Sequence, residues 1–287
     1  MKYSFYPGCT LHSTGAEYGG SSRSVFASLG VELLDLDDWN CCGASSAHAV
    51  SRELAVLLAG RNVATAQKAG LDLVVPCAAC YGRLMQAQEA LMESPGLRQR
   101  LADGDDFSWS GAIEVVSGLA MAAERVPEGD IVSRVKTRLE DIKVVAYYGC
   151  LLARPRSLTG EANPDHPMAM DHLLSLLGLQ VVEWSYKTDC CGGALTLSRA
   201  SSVERLVGKL VAMAAEAGAD CIATACPMCQ TNLEMRQPAR KDMPIFYFTE
   251  LMGLAFGLPE ASRWWPKHLV DPRPLLRRKG LNRRSSG

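Results

Sequence analysis

The chain has 287 residues, 48% of them hydrophobic and 21% charged, with a formal net charge of −1. That composition is ordinary for a globular protein with a well-buried core, and the charge excludes bulk attraction to nucleic acid. No run of about 18 apolar residues occurs, so no membrane span is expected, and the N-terminal MKYSFYPGC lacks the apolar stretch of an export signal.

In chain order, Tyr3–Tyr6 is short and aromatic and stops at Pro7-Gly8, which predicts a strand. Ser22–Leu29 has helical spacing and ends at Gly30, and Val31–Leu36 reads as a second strand. Arg52–Ala69 places Leu54, Leu57, Leu58 and Val63 on one helical face and ends at Gly70. Asp72–Val75 is a buried strand halted by Pro76, and a helix follows from Cys80 to about Met92. Residues 94–142 hold a Gly/Asp-rich turn and two weak helical patterns, Ala112–Arg125 and Ile131–Leu139. The same order then recurs: strand Lys143–Tyr147, helix Met168–Leu177, strand Gln180–Trp184, helix Arg199–Ala217, strand Asp220–Thr224 and helix Pro227–Met235. A last strand, Ile245–Phe248, and helix, Thr249–Phe256, precede a tail with eight Arg or Lys from Arg263 onward.

Alternating strands and helices of this length predict an α/β fold of two pseudo-twofold-related repeats, each a small parallel sheet with crossover helices. The expected divisions are a first repeat over 1–100, a helical connector over 101–142, a second repeat over 143–258 and an extended basic C-terminal arm over 259–287. Such an arm is more often solvated than docked, although Trp264-Trp265 would suit docking on a partner.

The cysteines carry the repeat. Cys9 is followed after 31 residues by Cys41-Cys42-Gly43, and after 34 more by Cys77-x-x-Cys80. Cys150 is followed after 39 residues by Cys190-Cys191-Gly192, and after 34 more by Cys226-x-x-Cys229. The offset grows from 141 to 149, which puts eight extra residues in the second copy, expected within Thr159–Pro167. Each cysteine falls just past a predicted strand C-terminus, where open α/β sheets hold their ligands. Cys221, the eleventh, lies inside a predicted buried strand and reads as a small apolar side chain.

Eleven cysteines without an export signal point to a reducing cytoplasm, where thiols are more often metal-bound or reactive than disulfide-paired. A structural zinc ion takes four ligands, and Cys77-x-x-Cys80 would suit one. The adjacent pairs suit it poorly, because neighbouring side chains diverge and reach different metal atoms of a larger cluster. A redox Cys-x-x-Cys needs no five-cysteine array. Thiolate-rich sites select zinc or iron–sulfur, and this pattern favours iron–sulfur, with zinc and a purely thiol–disulfide site as alternatives. The CxxC ends fall at predicted helix starts, whose free N–H groups offset thiolate charge, and Pro227 suits a first turn. Gly43, Gly192 and Gly193 would let amides approach the sulfurs.

At these residues the chain resembles the cysteine-rich CCG-domain family, and within it the B subunit of heterodisulfide reductase, from Lys2 to about Gly257. The resemblance implies two [4Fe–4S] clusters of a non-cubane type. One would be held by Cys9, Cys41, Cys42, Cys77 and Cys80, and the other by Cys150, Cys190, Cys191, Cys226 and Cys229. It implies a catalytic component that reduces or forms a disulfide between its clusters, served by a ferredoxin-like C subunit and a flavin-containing A subunit. Leu151 stands where methanogen members carry His, so the resemblance runs to bacterial forms. No Gly-x-Gly-x-x-Gly fingerprint occurs, so flavin or nicotinamide would be bound by partners. The alternative function is a non-catalytic relay passing electrons to quinone or another protein of the complex; a third is a zinc-stabilised interaction module.

His12 and His48 are candidate proton donors by their placement after Cys9 and Cys42, against the bland alternative of satisfied loop histidines. Lys187, Arg154 and Arg156 flank the second set and are candidates to hold an anionic thiol. Tyr6, Tyr147 and Tyr148 read as core rather than catalytic.

Overall fold

The computed structural model describes residues 1–44, 46–105, 109–238 and 242–281. Among these residues eight strands form two four-stranded sheets. In the first, β1 (Lys2–Phe5), β2 (Glu32–Asp35), β3 (Leu73–Val75) and β4 (Val115–Ser117) lie in the order β2-β1-β3-β4. In the second, β5 (Lys143–Tyr147), β6 (Gln180–Val181), β7 (Cys221–Thr224) and β8 (Ile245–Tyr247) lie in the order β6-β5-β7-β8. Every pairing is parallel. Parallel neighbours need a crossover, so all strands of a sheet end at one edge, and the loops there gather distant parts of the chain.

The central strands are buried on both faces, which is why their sequences read as unbroken apolar runs. Their side chains alternate between two cores. Phe5, Val74 and Val116 of the first sheet, and Val144, Ala146, Ala223 and Phe246 of the second, face one large core shared by both copies. Tyr6, Leu73, Val75 and Val115 face an outer core under helices Arg52–Ala69 and Ala78–Glu93. Val145, Tyr147, Ile222 and Ile245 face the matching outer core under helix Ala200–Glu216.

The shared core is built by exchange. Helix Ala16–Ser28 of the first copy packs on helix Phe248–Ala255 of the second: Ser21 Oγ lies 2.7 Å from Thr249 Oγ1, and Tyr18 stacks on Tyr247 at 4.2 Å. Helix Ala169–Leu176 of the second copy packs in turn on the segment Gly118–Arg125 of the first.

Two expectations change. The stretch 101–142 is not simply a helical connector: it supplies β4 and the turn after it, and so completes the first sheet as β8 and its helix complete the second. Ile113–Val116, broken by Glu114, is too short a stretch for periodicity to separate strand from helix. The tail from 259 is not extended over its described part. It folds back through turns Pro259–Arg263 and Trp265–Lys267 and helix Arg273–Arg278, and buries Trp264, Trp265, Leu275 and Leu276 in the shared core. Each buried leucine contributes about 1.5–3 kcal/mol, while Arg273, Arg277 and Arg278 stay exposed and keep their charges in water. Residues 282–287 of the tail lie outside the described residues.

Candidate metal centre

Both cysteine sets sit at the C-terminal edges of their sheets. Cys9 lies in the turn Gly8–Leu11 after β1, and Cys150 in the turn Cys150–Ala153 after β5. Cys77 caps the helix starting at Ala78, with Cys80 in its first turn; Cys226 caps the helix starting at Pro227, with Cys229 in its first turn. All eleven cysteines are free thiols.

The sulfurs meet in matching pairs. Cys42 Sγ lies 3.2 Å from Cys80 Sγ, and Cys191 Sγ lies 3.7 Å from Cys229 Sγ. Cys9 and Cys41 are in contact, as are Cys150 and Cys190. The two sets also meet: Cys226 is buried in the same cluster as Cys42, Cys77 and Cys80, and Cys229 packs against it. Ten sulfurs from two copies thus form one band. Cys221 is apart from it, buried on the shared-core face of β7.

Backbone amides serve the Cys-Cys-Gly sulfurs in register. Gly43 N reaches Cys41 Sγ at 3.5 Å and Gly192 N reaches Cys190 Sγ at 3.3 Å. The amides of Ala44 and Gly193 do the same for Cys42 and Cys191. Gly43 and Gly192 hold φ of 72° and 77°, which turns the chain so that consecutive sulfurs each face an amide. The thiols therefore ionise unevenly. The hydrogen bond between Cys42 and Cys80 holds Cys42 down to about 7, and the contact between Cys190 and Cys150 holds Cys190 down to about 6. Bonds from Cys229 and Cys77 also lower Cys226. Their partners Cys80 and Cys150 are raised by the same contacts, with burial adding to the rise.

Tyr6 and Tyr147 stand beneath the two sets. Each hydroxyl donates to the carbonyl just before a Cys-Cys pair, Tyr6 to Asn40 O at 2.8 Å and Tyr147 to Asp189 O at 2.7 Å. Burial, and then the neighbouring sulfurs, push both hydroxyls well above the ordinary tyrosine range. They are neutral pins for the loops. The signal was the repeated Tyr-x-Gly-Cys at 6–9 and 147–150. Gly8 and Gly149 belong to it: a Cβ there would stand 3.4 Å from Cys80 Sγ and 3.0 Å from Cys229 Sγ respectively.

The candidate accessory residues separate. His12 is exposed and stacks on Trp39 at 5.3 Å, two residues before Cys41. His48 is exposed and lines a cavity with Arg52 and Arg83. Lys187 is buried; its ammonium lies 2.8 Å from Asp171 Oδ1, and Tyr148 donates to the other oxygen at 2.7 Å. Its carbonyl accepts from Tyr148 N and Gly149 N, so Lys187 anchors the Cys150 turn instead of offering a free charge. Arg154 is paired with Asp165, and Arg156 is exposed. A buried cluster of His268, Glu234 and Glu250 had no signal in the sequence, because its members come from three separate segments.

Among the described residues no three His, Cys, Asp or Glu side chains close on a single ion. The donor set instead fits a larger sulfur-loving cluster: five thiols per copy, amides aimed at sulfur, and glycines where a Cβ would crowd it.

Comparisons with known proteins agree with this description. The family described as CCG, a cysteine-rich domain, matches residues 3–85 and again 144–234. The chain is 29% identical over 283 residues to the 8-methylmenaquinol:fumarate reductase membrane anchor subunit of Wolinella succinogenes, covering 96% of this chain and 99% of that one. It is 27% identical to the B subunit of the ferredoxin/F(420)H(2)-dependent CoB-CoM heterodisulfide reductase of Methanosarcina acetivorans, covering 89% of each. It is 26% identical to a protein of Archaeoglobus profundus described as like the heterodisulfide reductase B subunit, covering 90% of this chain and 91% of that one. A crystal structure of a hypothetical protein from Helicobacter pylori shares the fold, with a TM-score of 0.75 and 13% identity over 94% of this chain. The chain spans 52% of that protein's length.

Proposed function

The chain belongs to the cysteine-rich CCG-domain family, and from that premise we propose that it is the iron–sulfur subunit of a heterodisulfide-reductase-like complex, breaking or forming a disulfide at paired metal sites. The observation that carries this reading is the burial of Cys226 in one cluster with Cys42, Cys77 and Cys80, which joins two complete cysteine quintets into one band. Splitting a disulfide consumes two electrons and releases two thiolates, so two adjoining one-electron sites match the stoichiometry. When bound, an iron–sulfur cluster in each quintet would supply one electron and an iron able to take a thiolate sulfur.

The chain's own groups set the conditions. Amides of Gly43, Ala44, Gly192 and Gly193 stabilise negative sulfur. Tyr6 and Tyr147, bonded and neutral, hold the loops without supplying protons. His12 and His48, exposed beside the first set, are the proton donors of this proposal. The electrons come from partners, a ferredoxin-like C subunit and a flavin-containing A subunit, in a cytoplasmic complex. Two measurements test the reading. Anaerobically purified protein should hold about eight iron per chain, and zinc without iron would end the case. A thiol added to the oxidised protein should produce a new paramagnetic resonance signal, and its absence would exclude direct sulfur–iron contact.

A second reading has its own support. A relative of nearly equal length is named as the membrane anchor subunit of a quinol-linked fumarate reductase. No described helix of this chain is long and apolar enough to cross a membrane. In this reading the same sites relay electrons between a quinone and another protein of the complex. Reduction of a disulfide by the isolated chain with reduced methyl viologen separates the two.

A further inference from the structure

The two sheets are finished differently at their last strands. Pairing matches β4 to β8: Val116 lies beside Val74 as Phe246 lies beside Ala223. The helices before them match as well, since each begins at a Cys-x-x-Cys, Cys77 to Cys80 and Cys226 to Cys229. Along these helices the offset is 149, so Tyr81 corresponds to Gln230, Leu84 to Leu233, Met85 to Glu234 and Gln88 to Gln237. The packing keeps that register. Leu84 and Leu233 fill the two outer cores. Gln88 Nε2 donates to Ile113 O at 2.8 Å and Gln237 Nε2 to Met243 O at 3.3 Å, each two residues before its strand.

Both strands lie at sheet edges, where a free side has to be covered or stays open to other chains. The tail covers the β8 side. Trp265 packs edge-on against Phe246 at 5.7 Å, and His268 fits between Glu234 and Glu250 with Gln230 3.5 Å away. Leu269 N donates to Glu234 Oε2 at 2.7 Å. Beside β4 there is instead a cavity of ≈ 730 Å³. Tyr81 and Met85, the counterparts of Gln230 and Glu234, form its helix wall together with Met92; Ile113 and Val115 form the strand wall, and Leu158 of the second copy closes it. A polar socket that takes a histidine of the tail therefore has an apolar twin, open among the described residues.

The lining states what fits. Tyr81 and Met85 offer no carboxylate to an imidazolium, so a buried cation is disfavoured there. An aliphatic or aromatic side chain is favoured, and methionines adapt their shape to either. Asp72 and Glu114 stand at the rim, Glu114 paired with Arg125. That rim favours a basic flank over an acidic one, as Lys267 flanks His268 in the tail.

We propose that the cleft beside β4 is a docking site for a partner polypeptide, which inserts a short turn carrying an aliphatic or aromatic residue next to a basic one, as this chain's own tail docks beside β8. Docking there is independent of the reaction at the sulfurs and is read without turnover.

The test uses the full chain and two labelled peptides, residues 262–272 of the tail and the same segment with His268→Leu. The native socket is held by the tethered tail, whose high effective concentration keeps a free peptide out. Fluorescence anisotropy should show the leucine peptide binding at least about tenfold tighter than the histidine peptide. Hydrogen exchange should slow at residues 111–117 when it binds. Met85→Glu, which copies Glu234, should weaken the leucine peptide by about tenfold or more. Met92 is 64% exposed, so Met92→Glu carries the same test if Met85→Glu does not fold. No binding of the leucine peptide, protection elsewhere in the chain, or binding unchanged by these substitutions would overturn the proposal. A dimer of the chain that Met92→Glu dissolves would give the cleft to a second copy and overturn it as well.

Discussion

At the scale of single residues, the site depends on what is missing as much as on its sulfurs. Gly149 holds φ of +67° and would place a Cβ 3.0 Å from Cys229 Sγ. Gly149→Ala therefore adds backbone strain and also pushes the Cys229 sulfur out of place. Gly30, with φ of +75° and open space within 4 Å of where a Cβ would stand, separates the two effects. Both alanine variants should lose about 1 kcal/mol of stability in urea, but only Gly149→Ala should lose iron, retaining roughly half the wild-type content if each quintet binds its own cluster. Unchanged iron in Gly149→Ala would mean the sulfurs are placed more loosely than the contact indicates. The cysteines were legible at this scale because their spacing survives in the chain. Lys187 was not: its position near Cys190 suggests a substrate contact, and only the fold brings Asp171 against its ammonium.

At the scale of elements, the helix Pro227–Arg236 carries one candidate ligand, Cys229, on its first turn and another, Cys226, at its cap, and is held at its other end by the tail. His268 bonds Glu234 Oε1 at 2.8 Å and Glu250 Oε1 at 2.9 Å, with all three side chains buried. Burial opposes charge on the imidazole, but the two carboxylates outweigh it and lift His268 from 6.5 to about 11. Its contribution to stability is complete below pH 6.5, where the unfolded chain also holds the proton. It declines above that and is gone once pH passes about 11. Glu17, raised by burial and then by Glu250 from 4.5 to about 7, acts in the same sense between those values. Denaturant midpoints should therefore fall from neutral to alkaline pH, at up to about 1.4 kcal/mol per unit for the His268 proton. His268→Ala should flatten that slope and cost about 3–5 kcal/mol, since it leaves two buried carboxylates without their partner. A slope that persists in the variant would assign the alkaline loss elsewhere. The helices and central strands were readable from periodicity and glycine stops, whereas this latch was not, because a basic tail gives no sign of folding back.

At the scale of the molecule, the repeat hides a dependence. Matching sheet orders suggest two separable units, and the spacing of cysteines alone would agree. The shared core argues otherwise. Phe5, Val74 and Val116 of the first sheet are covered by elements of the second copy as well as their own, and Tyr18 reaches across to donate to Ala225 O at 3.2 Å, next to Cys226. Cys226 packs with Cys77 and Cys80 over that interface, so the geometry of each candidate metal site is set partly by the other copy. Neither half can bury its inner sheet face alone, and a domain's net stability of about 5–15 kcal/mol does not survive the exposure of so large an apolar surface. Residues 1–142 and 143–281 made separately should each be protease-sensitive and bind a hydrophobic dye, and mixing them should restore protection and iron uptake together. The intact chain should unfold in one transition by both circular dichroism and loss of cluster absorbance. Two resolved transitions, or a half that folds and holds iron by itself, would show that the copies are neighbours and not a single unit.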